Sequence, residues 1–345
     1  RSEMGYTDQK PLEYSSVVLA AALREGFSGP VFIQGDHFQI NAKKYKADPK
    51  AEVDGLKKII KEAIEAGFFN IDIDSSTLVD LEKKTLEEQQ RLNFEACAEM
   101  TKHIRSLEPQ GVAISVGGEI GEVGTKNSTP EELRAYMQVL LKLLPKGMKG
   151  ISKVSVQTGT SHGGVVLADG SMAEVKLDFN TLKAISEVAR KEYGMSGAVQ
   201  HGASTLPEDA FHKFPEVETA EVHLATQFQN MVFESVHLPA ALKEKMYAWI
   251  KENLKDERKP NMTDEQFFYT ARKKSLGPFK KDLMSLSQAL RDKIGKELEE
   301  KFAFLFDQLK IKGTKTIVAK YVKESKAEKV FTSQGAKAEH FEGDD

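Results

Sequence analysis

The stretch FFNIDIDSS, residues 68–76, sets an aromatic and β-branched run between two helical patterns and ends it in carboxylates and hydroxyls. The helical patterns occupy residues 51–66 before it and residues 85–106 after it. A strand enclosed by helices in this way is typical of a βα unit in a parallel sheet. The stretch therefore predicts an α/β fold in which polar side chains lie at the end of the strand.

The same unit recurs along the chain between Tyr14 and Leu224. We predict six strands, at residues 30–34, 68–73, 112–116, 151–157, 195–200 and 220–224. Further helices are predicted at residues 15–25, 130–144 and 179–193, and the hydroxyl of Thr129 is placed to cap the second of these. Closing a (β/α)8 barrel requires eight strands, and here a helix precedes the first one. We therefore predict a (β/α)8 TIM barrel that lacks its first two strands in this chain.

The character of the sequence changes after the sixth strand. Helical patterns continue at residues 238–254, 263–274, 285–309 and 313–323, and the chain ends in a polar mixture of Lys, Glu, Gly and Ser. We predict a barrel domain over residues 1–234 that holds strands 3–8, a C-terminal helical extension over residues 235–324 and a disordered tail over residues 325–345. The chain begins at Arg1 instead of methionine, which we interpret as a truncated or processed start.

Composition argues against several classes of protein. With 49 basic against 52 acidic residues, the net charge of -3 gives no whole-chain attraction to nucleic acid or to anionic membranes. No apolar run approaches the roughly 18 residues that span a bilayer, so we expect a soluble protein. The one cysteine, Cys97, allows no intramolecular disulfide and favours a cytoplasmic location.

Three histidines follow three different predicted strands, at His37, His162 and His201. Each alone would be an ordinary hydrogen-bonded loop residue, but the carboxyl ends of parallel strands meet at one rim of a barrel. Imidazole is the commonest nitrogen ligand of Zn²⁺, and three protein ligands leave an open coordination position for a substrate. The spacing therefore predicts a catalytic divalent-metal centre.

Small residues beside these histidines favour a phosphate site. Glycines let the backbone approach a ligand closely, and exposed N–H groups suit an anion. The candidates are Gly163, Gly164, Gly202, Ser204 and Thr226. Ordinary turn chemistry is the alternative for each of them.

Seven segments, in order and spacing, resemble class II fructose-bisphosphate aldolases and their tagatose-bisphosphate relatives. They are GDHFQ, NIDIDSS, GGEIGEVG, GTSHGG, KLDFNTLKAI, VQHGAS and VHLATQFQ, and the resemblance covers Val18 to Asn230. It implies that Asp36 is the catalytic acid and base, and that His37, His162 and His201 bind zinc or another divalent metal. It implies that Glu119 is an alternative or second-site metal ligand.

The resemblance also assigns residues to the substrate. It implies that Gly163, Gly202, Ser204 and Thr226 hold a phosphate, with a monovalent cation beside it, and that Asp72 and Asp74 form a polar pair at the end of their strand. His223 stands where these aldolases carry a substrate-binding asparagine. Where they carry a proton-exchanging acid in a loop, this chain has Thr, Lys, Asn and Ser after Gly124, so no acid is assigned and Glu122 is the nearest candidate.

The function implied is a carbon–carbon lyase of glycolysis or related carbohydrate metabolism. The enzyme would cleave a ketose bisphosphate, with fructose 1,6-bisphosphate as the first candidate, reversibly to dihydroxyacetone phosphate and an aldehyde. The metal would act as a Lewis acid and Asp36 as the general base, with no Schiff-base lysine. Its partners would be the phosphorylated sugar and further copies of the chain, as a homodimer or larger assembly.

Two alternatives and one further feature remain open. A metal-dependent hydrolase would use the same barrel, and a non-catalytic paralogue would serve as a structural or regulatory subunit. The basic stretch of residues 273–281 could reach a second phosphate, across a dimer for example, or form a solvated surface.

Overall fold

The computed structural model of the chain describes residues 6–121, 126–160, 166–167, 173 and 177–323. Its sheet has six parallel strands in sequence order, each hydrogen-bonded to the next. The strands are β1 (Gln34–Gln39), β2 (Asn70–Asp74), β3 (Ser115–Glu119), β4 (Lys153–Val156), β5 (Ala198–Gln200) and β6 (Glu221–Val222).

Helices alternate with these strands and continue after them. The α-helices among the described residues are α1 (Pro11–Arg24), α2 (Ala42–Ala47), α3 (Pro49–Glu65), α4 (Leu86–Ser106), α5 (Pro130–Leu143), α6 (Phe179–Tyr193), α7 (Lys213–Glu216), α8 (Thr226–Glu234), α9 (Ala240–Asn253), α10 (Asp264–Ala271), α11 (Lys280–Met284), α12 (Gln288–Gln308) and α13 (Lys315–Tyr321). Short 3₁₀ helices lie at Ser76–Leu78, Ala203–Thr205, Glu208–Ala210, Lys255–Glu257 and Arg272–Ser275.

The predicted α/β fold with six parallel strands is confirmed. Within the described ranges no strand pairing joins β6 back to β1, so the sheet is a half-barrel and not a closed eight-stranded barrel. The half-barrel is nevertheless strongly curved, because Gln34 Nε2 on the first strand lies 2.9 Å from Glu221 Oε2 on the last. Side chains from all six strands can therefore meet on its concave side.

The two faces of the sheet differ in polarity. On β2, Ile71 and Ile73 point into the apolar core beneath the helices, while Asp72 and Asp74 alternate with them and face inward. On β4, Val154 and Val156 lie in the same core. The helix layer supplies the hydrophobic burial, and the concave side is free to hold polar residues.

A β-bulge corrects the predicted position of the first strand. The strand was expected at residues 30–34, but it begins at Gln34, and its register with β2 shifts between Gly35 and Phe38. His37 has a left-handed backbone with φ of 50°, which is uncommon for a residue with a side chain. Since a bulge breaks the strict alternation of faces, Asp36 and His37 both reach the concave side from within the strand and not from a following loop.

The third strand also extends further than predicted, because its glycines belong to the strand. A Cβ atom at Gly117 would lie 2.4 Å from Asp72 Oδ1 and 3.1 Å from Lys153 Cε. Glycine at this position leaves room for those two side chains to approach each other. The sequence pattern ended the strand at Val116 because glycine usually marks the end of a strand, whereas here β3 ends at Glu119.

Several helix boundaries agree with the sequence. Helix α6 occupies the predicted residues, and α5 begins with the predicted cap, in which the Thr129 hydroxyl accepts from Glu132 N at 3.2 Å. Cys97 is buried in the core, where burial raises the pKa of its thiol to about 11. None of the helices formed by the described residues is both long and apolar enough to cross a membrane.

The four helices predicted after residue 234 are present as α9, α10, α12 and α13, while α11 (Lys280–Met284) was not predicted. Leu305 of α12 joins the main core, while Phe233, Leu238, Leu242 and Met246 form a separate apolar cluster. The division of the chain at residues 234 and 324 stays a prediction. The predicted tail of residues 325–345 lies outside the described residues.

Candidate metal centre

Two groups of polar side chains lie on the concave side of the sheet. The group nearer the carboxyl ends of the strands, which we call the histidine cluster, consists of Asp36, His37, Asp74, Glu119, His201 and His223. The group beneath it, which we call the lysine cluster, consists of Gln34, Asp72, Lys153 and Glu221. The alternation of strand residues explains this arrangement, since Asp72 and Asp74 stand two positions apart on one strand and Glu221 and His223 stand two apart at the end of another.

Three imidazole rings surround the carboxylate of Asp36. His223 Nδ1 lies 3.2 Å and His37 Nε2 lies 3.6 Å from Asp36 Oδ2, and His201 Nε2 lies 3.5 Å from Asp36 Oδ1. The rings also contact one another, with His201 Nε2 and His223 Nδ1 3.0 Å apart. These four side chains come from β1, from the residue after β5 and from the residue after β6, so the curvature of the sheet brings them together.

A carboxylate holds the ring of His37 from behind, and a more distant one lies near His201. His37 Nδ1 lies 3.1 Å from Asp74 Oδ2, and that carboxylate also accepts from Gln39 Nε2 at 2.6 Å and from the Ser76 hydroxyl at 2.8 Å. His201 Nδ1 lies 3.9 Å from Glu119 Oε1. With Asp74 against its Nδ1, His37 presents Nε2 towards Asp36.

The lysine cluster balances its own charges. The Lys153 ammonium, which is 2% exposed, lies 3.0 Å from Asp72 Oδ1 and 2.6 Å from Glu221 Oε2. Gln34 Nε2 donates to Asp72 Oδ2 at 2.6 Å and to Glu221 Oε2 at 2.9 Å. Two carboxylates thus share one ammonium and one amide.

Glu221 links the two clusters. Its Oε2 lies 2.9 Å from His223 Nε2. The other ring nitrogen of His223, Nδ1, faces Asp36 and His201. Gln34 Nε2 also lies 3.1 Å from His223 Nε2, but the Gln34 amide donates to the carboxylates. The Nε2 proton of His223 therefore has Glu221 as its acceptor.

The carboxyl groups of the histidine cluster differ in charge. Desolvation alone would raise the pKa of Asp36, but the charges of His201, His223 and His37 and a hydrogen bond from His223 outweigh it, so this pKa lies well below its usual range. Burial raises the pKa of Glu119 well above its usual value, and the neighbouring carboxylates Asp74, Asp36 and Asp72 raise it further. Asp36 is ionised at neutral pH, while the raised pKa of Glu119 disfavours its ionised form when no cation balances the cluster.

Similar effects act on the linking pair. Desolvation opposes the charge of Glu221, but the hydrogen bond from His223 and the ion pair with Lys153 lower its pKa to about 2. Desolvation likewise opposes the charge of His223, while the hydrogen bonds to Asp36 and Glu221 raise its pKa to about 9.

The donor set fits a divalent cation. Three groups of side chains have their nitrogen and oxygen ligand atoms within 4.8 Å of one another. The groups are Asp36, His37 and His201; Asp36, Asp72 and His223; and His37, Asp74 and Glu119. Mixed imidazole and carboxylate donors suit zinc and other first-row divalent metals, and a cation would offset the mutual repulsion that raises the pKa of Glu119.

A cavity of about 1020 Å³ opens onto the histidine cluster. Asp36, His37, His201 and His223 line its wall, and the predicted phosphate residues Gly202, Ser204 and Thr226 line the same cavity. Gly202 has a left-handed backbone with φ of 68°, which only glycine adopts readily, and Thr226 begins α8. Lys273 and Phe302 of α12 line the cavity as well, so Lys273 reaches the cavity of its own chain.

The structure brings together most of the predicted site residues. Asp36, His37, His201 and Glu119 meet in the histidine cluster, with Asp74 and His223 beside them, while Asp72 lies in the lysine cluster. The predicted ligand His162, the predicted phosphate residue Gly163 and the candidate acid Glu122 lie outside the described residues. The assignment of roles to these residues stays a prediction.

Sequence reasoning missed Gln34, Lys153 and Glu221. Each lies within a predicted apolar run, or at its end, and was counted as part of a strand. Polar residues at alternate positions of a parallel strand, as in Lys153 and Ser155, are the signal that would have found them, because such strands are usually apolar on both faces.

Known proteins resemble the chain in sequence pattern and in fold. The family model described as fructose-bisphosphate aldolase class-II matches residues 3–306. No curated protein matches the sequence. Among solved structures, a probable tagatose 6-phosphate kinase from Sinorhizobium meliloti is 17% identical, with 91% of this chain and 82% of that one covered and a TM-score of 0.60.

Two further solved structures are similar. A fructuronate-tagaturonate epimerase from Cohnella laeviribosi is 13% identical, with 89% of this chain and 74% of that one covered and a TM-score of 0.56. A fructose-bisphosphate aldolase from Campylobacter jejuni is 16% identical, with 78% and 74% covered and a TM-score of 0.43. At such low sequence identities, the first two structures show only that the fold is shared. The similarity to the third structure is too low to support a conclusion.

Proposed function

Because the chain belongs to the class-II fructose-bisphosphate aldolase family, we propose that it is a metal-dependent aldolase acting on a ketose bisphosphate. The products would be dihydroxyacetone phosphate and an aldehyde, and fructose 1,6-bisphosphate is the first substrate to test. The observation that carries this proposal is the ionised carboxylate of Asp36, which faces a cavity and lies within 3.6 Å of three imidazole nitrogens.

Asp36 performs the proton transfer of the reaction. Its carboxylate is 36% exposed and takes the proton from the hydroxyl on C4 of the ketose. The bond between C3 and C4 then breaks, the aldehyde leaves, and the electron pair passes to the ketone half as an enediolate. Uptake of a proton from water at C3 then gives dihydroxyacetone phosphate. A bound divalent cation supplies the Lewis acid that stabilises this charge. In the reverse direction, protonated Asp36 returns the proton to the new hydroxyl.

Histidines 37 and 201 would hold the cation, and neighbouring carboxylates keep the rings in place. Asp74 fixes His37 through Nδ1 at 3.1 Å, and Glu119 lies 3.8 Å from the same nitrogen. Lys153 is buried at the start of β4 and paired with Asp72 and Glu221, beneath the cavity and not on its wall. A Schiff base on this lysine has no support, since the ammonium is held in ion pairs away from the substrate.

The two ends of a bisphosphate have two separate sets of candidate contacts. Gly202, Ser204 and Thr226 supply backbone and hydroxyl donors on one part of the cavity wall, and Lys273 supplies a cation from the 3₁₀ helix Arg272–Ser275. The Lys273 ammonium lies 5.2 Å from the ring of Tyr6, and Lys273 lines the cavity of its own chain. Lys273 is thus a candidate for the second phosphate without a contribution from a second subunit.

Cleavage assays with a panel of ketose bisphosphates test the proposal. Protein loaded with Zn²⁺ should cleave fructose 1,6-bisphosphate or tagatose 1,6-bisphosphate, lose the activity on treatment with a chelator and regain it when the metal is restored. Activity that survives complete metal removal would contradict the mechanism. Metal-dependent hydrolysis without carbon–carbon cleavage would favour the hydrolase, and no turnover of any ketose bisphosphate would favour the non-catalytic subunit.

Replacement of Lys273 tests the bisphosphate in particular. Lys273→Met should raise KM for a bisphosphate by about tenfold or more, because it removes a charged contact to phosphate, and should change KM less for a ketose monophosphate. Lys274→Met is the matched control, since the Lys274 ammonium contacts Glu257 on the protein surface. Equal effects of the two variants would exclude Lys273 from the second phosphate site.

A further inference from the structure

We propose that His223 is a ligand of the divalent cation, binding through Nδ1, and that Glu221 is the carboxylate that orients its ring. This assignment replaces the predicted role of His223 as a substrate contact. It rests on the proposed cation but not on the aldol reaction, and no step of catalysis is needed to test it.

The spacing of the ligand atoms is the first argument. Zinc–nitrogen bonds of about 2.0–2.1 Å in a tetrahedral site place neighbouring ligand atoms about 3.3 Å apart. His223 Nδ1 lies 3.0 Å from His201 Nε2 and 3.2 Å from Asp36 Oδ2. These separations are those of ligands that share one ion. A residue that contacts only the substrate need not lie so close to a metal ligand.

The second nitrogen of the ring supplies an independent argument. A metal-binding histidine almost always donates its other ring N–H to a carboxylate, a backbone carbonyl or water, which fixes the tautomer and exposes the ligating lone pair. His223 Nε2 faces Glu221 Oε2 at 2.9 Å, and His37 has the same arrangement, with Nδ1 facing Asp74 at 3.1 Å and Nε2 directed at Asp36. Both rings therefore direct their second nitrogen at Asp36.

Glu221 is held in position from below. Lys153 Nζ lies 2.6 Å and Gln34 Nε2 lies 2.9 Å from the same Oε2 that accepts from His223. The backbone of His223 is also fixed, since its N–H donates to Gln200 O at 2.9 Å. The lysine cluster thus holds the carboxylate of Glu221, and Glu221 in turn orients the imidazole of His223 towards the ion. Lys153 and Glu221 are therefore positioning residues.

Metal binding and ligand counting test the assignment without an activity measurement. Wild type and His223→Asn are loaded with Zn²⁺, and the number of coordinating imidazoles is determined by X-ray absorption and the affinity by competition with a chelating dye. We expect one imidazole fewer in His223→Asn and an affinity more than about 100-fold weaker. Glu221→Gln should keep the imidazole count and weaken binding about 10–100-fold, the range for loss of an orienting partner.

His237→Asn is the matched control, because His237 also lies near a carboxylate, Glu297 at 3.9 Å, but outside the histidine cluster. It should leave the affinity and the imidazole count unchanged. An unchanged imidazole count in His223→Asn would overturn the proposal. If His223→Asn does not fold, as judged by circular dichroism, wild-type affinity in Glu221→Gln would overturn it instead. A protein that binds the metal as proposed but cleaves no sugar would contradict the proposed function alone.

Discussion

The histidine cluster and the lysine cluster are both polar groups on the concave side of one sheet, yet their charges are arranged differently. In the lysine cluster, Asp72 and Glu221 share the Lys153 ammonium and the Gln34 amide. In the histidine cluster, three carboxyl groups face three imidazole rings. Burial raises the pKa of Asp72 and of Glu119, but Lys153 opposes the shift at Asp72, whereas Asp74, Asp36 and Asp72 add to it at Glu119. The difference indicates that the lower cluster has its own cation in Lys153, whereas the upper cluster has the donor set and the excess of carboxylates that suit a bound one.

Replacement of Asp36 should produce the largest effect and would sharpen this comparison. Asp36→Asn should lower kcat by about 10²–10⁴-fold, since the amide cannot accept the hydroxyl proton. The free energy of unfolding of the metal-free protein should fall at neutral pH, because the lowered pKa of Asp36 means that its charge stabilises the fold through His201, His223 and His37. Steady-state kinetics and urea unfolding of the same preparation provide both measurements.

Asp209→Asn serves as the control, because Asp209 is exposed on the 3₁₀ helix Glu208–Ala210 and away from the cluster. It should keep the kcat of the wild type. An Asp36→Asn enzyme with unimpaired kcat would contradict the assignment of Asp36 as the base.

Replacement of Lys153 should act chiefly on stability. Lys153→Met leaves Asp72 and Glu221 without their common cation, and breaking a buried ion pair typically costs about 3–5 kcal/mol. We expect the lower end of that range, because the Glu221 side chain is 30% exposed. The free energy of unfolding from urea titration of the metal-free protein measures the effect.

Lys142→Met is the corresponding change on the exposed surface of α5 and should alter the free energy of unfolding by less than about 0.5 kcal/mol. If Lys153→Met were as stable as Lys142→Met, the lysine cluster would not depend on its internal charge balance, and the comparison between the two clusters would fail.

Most of the fold followed from the sequence because strand and helix periodicity records burial. The six strands and the longer helices between them were predicted, the short helices α2 and α7 were not, and α6 and the Thr129 cap agree residue by residue. The errors lie where contacts between side chains of the site override the usual preference of a residue type for strand or turn. Gly117 stays in the strand to admit the Asp72–Lys153 pair, and the bulge beside His37 moves the first strand past its apolar run.

The candidate site was only partly predictable. His37 and His201 could be found because histidine beside glycine or aspartate after a strand is an unusual pattern, and both meet at Asp36. Lys153 and Glu221 could not be assigned, because their importance lies in ion pairs between β2, β4 and β6 that are distant in sequence. Spacing along the chain records which strand a residue belongs to, but not which layer of the interior it shares with residues of other strands.

Glu119 offers the smallest and most selective test of the difference between the clusters. Because its pKa is raised in the metal-free fold, its contribution to stability is fully present below the unfolded carboxyl pKa of about 4.3 and is lost as the pH rises towards the folded pKa. Glu119→Gln removes this loss, so the metal-free variant should be more stable than the wild type at neutral pH, on the order of 1 kcal/mol, and equal to it in acid. Saturating Zn²⁺ should make the wild type the more stable of the two proteins, since glutamine carries no charge to balance the ion.

Glu252→Gln, on the exposed part of α9, is the control and should show no such dependence on pH or metal. A Glu119→Gln protein whose stability follows the wild type at every pH would mean that the upper cluster does not carry excess negative charge.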